Sequence, residues 1–240
     1  MKLFFAITLA YLGVSLTEAG RTASTDVVQK LKEIEPIYKN LQDNIVNAVA
    51  GAKLNTASKT DSFYQTISDN KEASLKQSIA YEDEFIYKLN NQPSSADASC
   101  LEELRTIVES YMNVAGFGYT NCVNQVETGL KKELDKVYKL LQVDESELFN
   151  LSLLDVFRGE NIIADPVKII AKLNEKASEI NSIALNFTAD VNVSVDDYAS
   201  RLVALQNSYK SCVLSKESSL QQALETTNMQ LMQICVQTVL

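Results

Sequence analysis

The sequence predicts an all-α fold, an elongated antiparallel bundle of about five long helices stabilised by disulfides. Three observations predict it. Seven Gly and three Pro in 240 residues leave too few turn residues for the frequent reversals of a sheet. Apolar side chains recur at alternating steps of three and four, the seam of a packed helix. The four cysteines fall as two pairs, Cys100 and Cys122 at 22 residues apart and Cys212 and Cys235 at 23, as two facing helices would carry them.

Residues 1–19 read as a secretory signal peptide. Lys2 gives a short positive start, Leu3 to Leu16 is apolar apart from hydroxyls, and Thr17 and Ala19 are small residues suited to cleavage. The run is shorter than the about 20 residues that span a bilayer. No later stretch reaches that length, so a mature extracellular chain is expected.

Residues 20–91 predict an N-terminal helical hairpin. Val27, Leu31, Ile34, Tyr38, Leu41, Ile45 and Ala48 form its first seam, with Ser24 or Thr25 as cap, Pro36 as a kink or true start, and Gly51 as the end. The second arm, Ser58 to Asn90, presents Phe63, Ile67, Leu75, Ile79, Phe85, Ile86 and Leu89. Its middle, SDNKEASLKQS, is polar, so only its ends are expected to be buried. Residues 92–99 have the composition of a linker.

Residues 100–240 predict the disulfide-linked bundle. Leu101, Leu104, Val108, Tyr111, Ala115, Gly118, Cys122, Val126, Leu130, Leu134, Val137 and Leu141 keep one seam without a miss. Gly116 and Gly118 weaken a helix by ~1 kcal/mol each; they either break it or admit a partner closely. Glu147 to Phe157 reads as a short capping helix, broken by Gly159. Asp165 before Pro166 is a helix start, and Val167, Ile170, Leu173, Ala177, Ile180, Ala184 and Phe187 share a face. TADVNVSVDD then reads as a connection to a last helix bearing Tyr198, Leu202, Leu205, Tyr209, Cys212, Leu220, Leu224, Leu231 and Ile234.

If each cysteine pair sits on one continuous helix, its members lie roughly 33–35 Å apart at 1.5 Å per residue. A disulfide needs Cα atoms within about 7 Å, so the bonds must cross between helices. Antiparallel pairing joins Cys100 to Cys235 and Cys122 to Cys212. It is favoured because Cys122 and Cys212 both sit on seams and the other two both sit one residue outside. A parallel pair, Cys100–Cys212 with Cys122–Cys235, has similar spacing. A turn at Gly116–Gly118 would instead bond Cys100 to Cys122.

Composition narrows the functional classes. With no His, the usual general base, the Ser-His-Asp and Cys-His arrangements and the commonest zinc ligand are missing. A net charge of −9 lacks the basic face that nucleic acid or an anionic membrane requires. No cofactor or metal motif is recognised. Asp190, Asn192, Ser194 and Asp196 alternate like the start of a calcium loop, but Val195 replaces the needed Gly and Arg201 the bidentate Glu. Asn192, Asn186 and Asn150 each head a glycosylation sequon, and Asn192 ranks first because it falls in the expected connection. Tyr111, Tyr198 and Tyr209 fall on seams and read as core, with lining of an apolar cavity as the alternative.

The stretches CLEELRTIVESYMNVAGFGYTNCV and SLLDVFRGENIIADPVKIIAKLNEK resemble the insect secreted family named for the tsetse EP protein (the TsetseEP domain), over roughly Ser99 to Cys212. The Glu-Pro repeat of the namesake is absent. The resemblance implies an extracellular protein of insect gut, haemolymph or reproductive secretions. That family has no established activity, so no catalytic residue carries over. The expected function is that of a secreted, non-enzymatic helical protein binding another extracellular protein, the alternative being a carrier of a small apolar ligand or lipid.

Overall fold

The computed structural model describes residues 2–149 and 153–236, with side chains described from residue 24 onward except 143–149, 154, 184 and 185. Among the described residues there is no strand. Three long helices carry the fold: α1 (Lys2–Asn90), α2 (Ala98–Phe149) and α3 (Pro166–Gln230). A 3₁₀ turn covers Leu153–Phe157, and a π-helical turn, Leu231–Cys235, follows α3.

The count of about five helices is therefore corrected to three, and the expected hairpin over 20–91 is one helix. Pro36 lies inside α1 on its exposed side. The carbonyl it leaves without a helical N–H thus faces solvent, which lowers the usual cost of an internal proline. Gly51 is exposed, has nothing near it, and does not end the helix. Helix continues there because the buried positions Leu41, Ile45, Val49 and Ala52 take two steps of four in succession. That stutter shifts the seam by a residue, so Val49 is buried where Ala48 was expected.

Ser24 and Thr25 cap nothing, since α1 is already helical there; the Ser24 hydroxyl instead donates to the carbonyl of Ile162 at 3.2 Å. The signal-peptide reading of residues 1–19 lies outside the residues whose side chains are described. At the other end, Asp97 caps α2: its Oδ1 accepts from the backbone N–H of Ser99 at 2.9 Å and of Cys100 at 3.3 Å. The helix then passes through Gly116–Phe117–Gly118 without a break.

Of the short helix expected over 147–157, residues 147–149 belong to α2 and Leu153–Phe157 form the 3₁₀ turn, and Gly159 (φ 78°) reverses the chain. Asn161 Oδ1 accepts from the N–H of Ile163 at 2.9 Å, and α3 starts at Pro166 as its fixed φ favours. The expected connection over 188–197 is helical, so the two helices foreseen there are one. Val167, assigned to the buried face, is 74% exposed; Ile169 is buried in its place.

Contacts divide the chain into two compact units. Unit 1 comprises Met1–Leu54 and Val137–Val195, and unit 2 comprises Asn55–Lys136 and Asp196–Leu240. In unit 1, Val27, Ile34, Val156, Ile169 and Leu173 form an apolar cluster that Leu31, Leu153, Phe157, Ile170 and Ala177 pack against. In unit 2, α2 runs antiparallel to α1 and α3, as cross-links show. Ser78 meets Tyr119 and Asn90 meets Arg105 between α1 and α2; Thr60 meets Tyr198 and Tyr81 meets Gln221 between α1 and α3.

Candidate functional site

Unit 2 holds both disulfides. Cys100 joins Cys235 with Cα atoms 5.5 Å apart, and Cys122 joins Cys212 at 5.9 Å. The antiparallel alternative is thus the one present. The segments facing each other differ by one residue in length, and the π-helical turn absorbs the difference. It places Cys235 in the core, while Ile234, assigned to the seam by periodicity, is 58% exposed. The carbonyl of Cys235 accepts from the N–H of Asp97 at 3.1 Å, which ties the 91–97 connection to the same staple.

On either side of the Cys122–Cys212 staple α2 and α3 approach closely at glycines. A Cβ on Gly118 would lie 3.0 Å from the aliphatic stem of Lys216, and one on Gly129 would lie 2.5 Å from Leu205 Cδ2. Gly116 has open space around it. Of the two glycines singled out from sequence, one makes a close approach; the tighter contact, at Gly129, was signalled only by its place beside seam residue Leu130. Further along, Arg201 Nε pairs with Glu133 at 2.6 Å, and Lys136 holds the same carboxylate at 2.8 Å.

The polar middle of α1 is partly buried, against expectation. Ser78 shares a 2.6 Å hydrogen bond with the Tyr119 hydroxyl and donates to the carbonyl of Ser74 at 2.8 Å. Thr60 and Tyr198 pair likewise at 2.7 Å. Tyr209 is buried without a hydrogen-bond partner for its hydroxyl, and burial pushes its phenol up. Tyr119 is also raised, mainly by burial. Tyr198 and Tyr209 are core residues and Tyr111 is half-buried.

Two clefts lie between α1 and α3 in unit 2. One, of about 240 Å³, is lined by Tyr81, Glu84, Lys88, Gln221, Glu225 and Asn228 among others. The second, of about 280 Å³, includes Asn70, Gln77, Lys210 and Glu217. The first is mainly polar and the second, with Val213 and Leu214 in its wall, is somewhat more apolar; both are smaller than the usual 300–1,000 Å³ of an organic ligand site. Glu82 is raised by burial and by the nearby carboxylates of Asp83 and Glu109. Among the described residues no group of three or more His, Cys, Asp or Glu could hold a metal. The calcium-like run is helical, with the Ser194 hydroxyl donating to the carbonyl of Asp190 at 3.0 Å, so its side chains diverge.

The surface feature that stands apart is on α2. From Ser110 to Val126 it carries no charged residue, between Glu109 and Glu127. Within that run Val114 and Phe117 are 66% and 74% exposed, one helical turn apart and beside the open Gly116. Asn186 and Asn192 are exposed and both lie within α3 rather than in a connection; Asn150 falls outside the described residues. No helix among the described residues is long and apolar enough to cross a membrane.

Together these features define an all-helical, doubly disulfide-bonded protein with two small clefts and an uncharged, partly apolar stretch of helix. Comparison with protein-family models, with curated proteins and with solved structures finds no match.

Proposed function

We propose that the protein is a secreted, non-enzymatic helical scaffold that binds another extracellular protein in an insect fluid. The uncharged face of α2 with exposed Val114 and Phe117 carries this reading. Large exposed apolar side chains on a run of helix that itself carries no charge favour association. The two disulfides support an oxidising compartment. The leader-like residues 1–19 and the resemblance to the tsetse EP family point to the same setting. A lipid-carrier reading would need a larger apolar cavity than these two small clefts offer.

The test is the native protein captured from secretory fluid, with Phe117→Glu as the control. We expect a defined protein partner that is retained at least tenfold less by the variant, with helicity unchanged by circular dichroism. Stoichiometric lipid in an organic extract, with no partner protein, would favour the carrier and sink this reading.

A further inference from the structure

The three sequons, at Asn150, Asn186 and Asn192, all lie in the stretch Val137–Val195 of unit 1, and unit 2 has none. We propose that Asn186 and Asn192 both carry N-linked glycans, and that these are attached before α3 folds. The proposal rests on the secretion reading above.

Each attachment is a glycosyl transfer from a lipid-linked oligosaccharide diphosphate. The side-chain amide Nδ2 forms a bond to the anomeric carbon and sheds a proton. The bond from that carbon to the diphosphate oxygen breaks, and the lipid diphosphate leaves with the electron pair. The transferring enzyme must hold the Asn amide and the hydroxyl two residues on at the same time. On a helix, residues two apart point to different sides. Thr188 and Ser194 lie within α3 with their asparagines, and the Ser194 hydroxyl is engaged with the carbonyl of Asp190. A formed α3 therefore cannot offer either sequon, so transfer belongs to the extended, newly translocated chain.

The folded helix then accommodates both products. Phe187, Val191 and Val195 make the buried stripe of this part of α3, and Asn186 and Asn192 are exposed. At 100° per residue the two asparagines leave from opposite flanks of that stripe, about 9 Å apart along the axis. Glycans there would straddle the solvent face of α3 in unit 1 without displacing a core side chain. That leaves unit 2, with its uncharged α2 face, free of sugar.

The chain is secreted from cultured insect cells with Asn150→Gln in the background, and its intact mass is read before and after peptide-N-glycosidase. We expect two glycans, each removed singly by Asn186→Gln or Asn192→Gln, with helicity unchanged. A secreted chain bearing fewer than two overturns the proposal while leaving the secretion reading intact. A chain retained in the cytosol overturns both. For timing, unglycosylated protein is incubated with purified oligosaccharyltransferase and its lipid-linked donor. We expect modification of the reduced, unfolded chain and less than a tenth as much of the folded one; equal modification overturns the timing.

Discussion

The two units are built by different means. Unit 1 holds an apolar cluster of Val27, Ile34, Val156, Ile169 and Leu173, has none of the cysteines, and contains every sequon. Unit 2 buries Thr56, Ser74, Ser78 and Thr227 along its seams, and each such hydroxyl displaces apolar surface that would otherwise drive packing. Both disulfides are in that unit. Cross-links restrict the unfolded chain and so add stability without needing more apolar surface. The covalent bonds sit where the core is most diluted by polar groups.

The largest effect that tests this contrast is removal of a staple. Replacing Cys122 and Cys212 together by Ala is expected to cost about 2–5 kcal/mol, read by urea unfolding. Amide exchange should accelerate around Tyr119, Tyr198 and Tyr209 more than around Ile169 and Leu173. Equal acceleration in both sets would erase the distinction. A smaller effect comes from the glycines of α2. Gly116→Ala is expected to stabilise by about 1 kcal/mol through helix propensity, since nothing lies near its new methyl. Gly129→Ala gains the same propensity but drives its methyl into Leu205, and overpacking of about 1–3 kcal/mol should cancel or reverse the gain. Thermal midpoints of the two variants should therefore move apart.

The smallest effect concerns two buried tyrosines. Tyr119→Phe loses a hydrogen bond to Ser78 and should cost about 1 kcal/mol. Tyr209→Phe removes a hydroxyl with no partner and should be neutral or stabilising by up to about 1 kcal/mol. Burial raises both phenols, so the folded state keeps protons that the unfolded chain sheds near pH ~10. Their contribution is complete below that pH and is lost as pH rises toward the raised folded values. Alkaline unfolding monitored by tyrosine absorbance should shift upward in the double Phe variant; an unchanged profile would show that other groups govern it.

Much of the core was legible along α2. Leu104, Val108, Ala115, Cys122, Val126, Leu130, Val137 and Leu141 all fall on the periodic seam and all are buried. Regular steps of three and four keep one face inward for as long as the helix is regular. Two of the misses occur where that condition fails. At Val49 a stutter moves the seam, and at Ile234 the π-helical turn moves it again. Ser78 was hidden for another reason: its partner is a tyrosine on a different helix, which no local pattern can show. The helix count went wrong at Gly51 and 188–197, where a local breaker or polar residues lie on exposed faces that helix continuity tolerates. Of the functional reading, the cysteines and sequons were visible as motifs. The exposure of Phe117 was not, since it depends on which face of α2 the other helices cover.

All four cysteines lie on α2, α3 or the turn that ends α3, and α1 has none. A protease that nicks the chain in the connection between α2 and α3 leaves two pieces still joined by both bridges. A nick in the 91–97 connection severs the last covalent link to α1. In a protease-rich fluid the same single cut is thus harmless in one loop and frees α1 from every covalent tie in the other, a difference visible on a non-reducing gel.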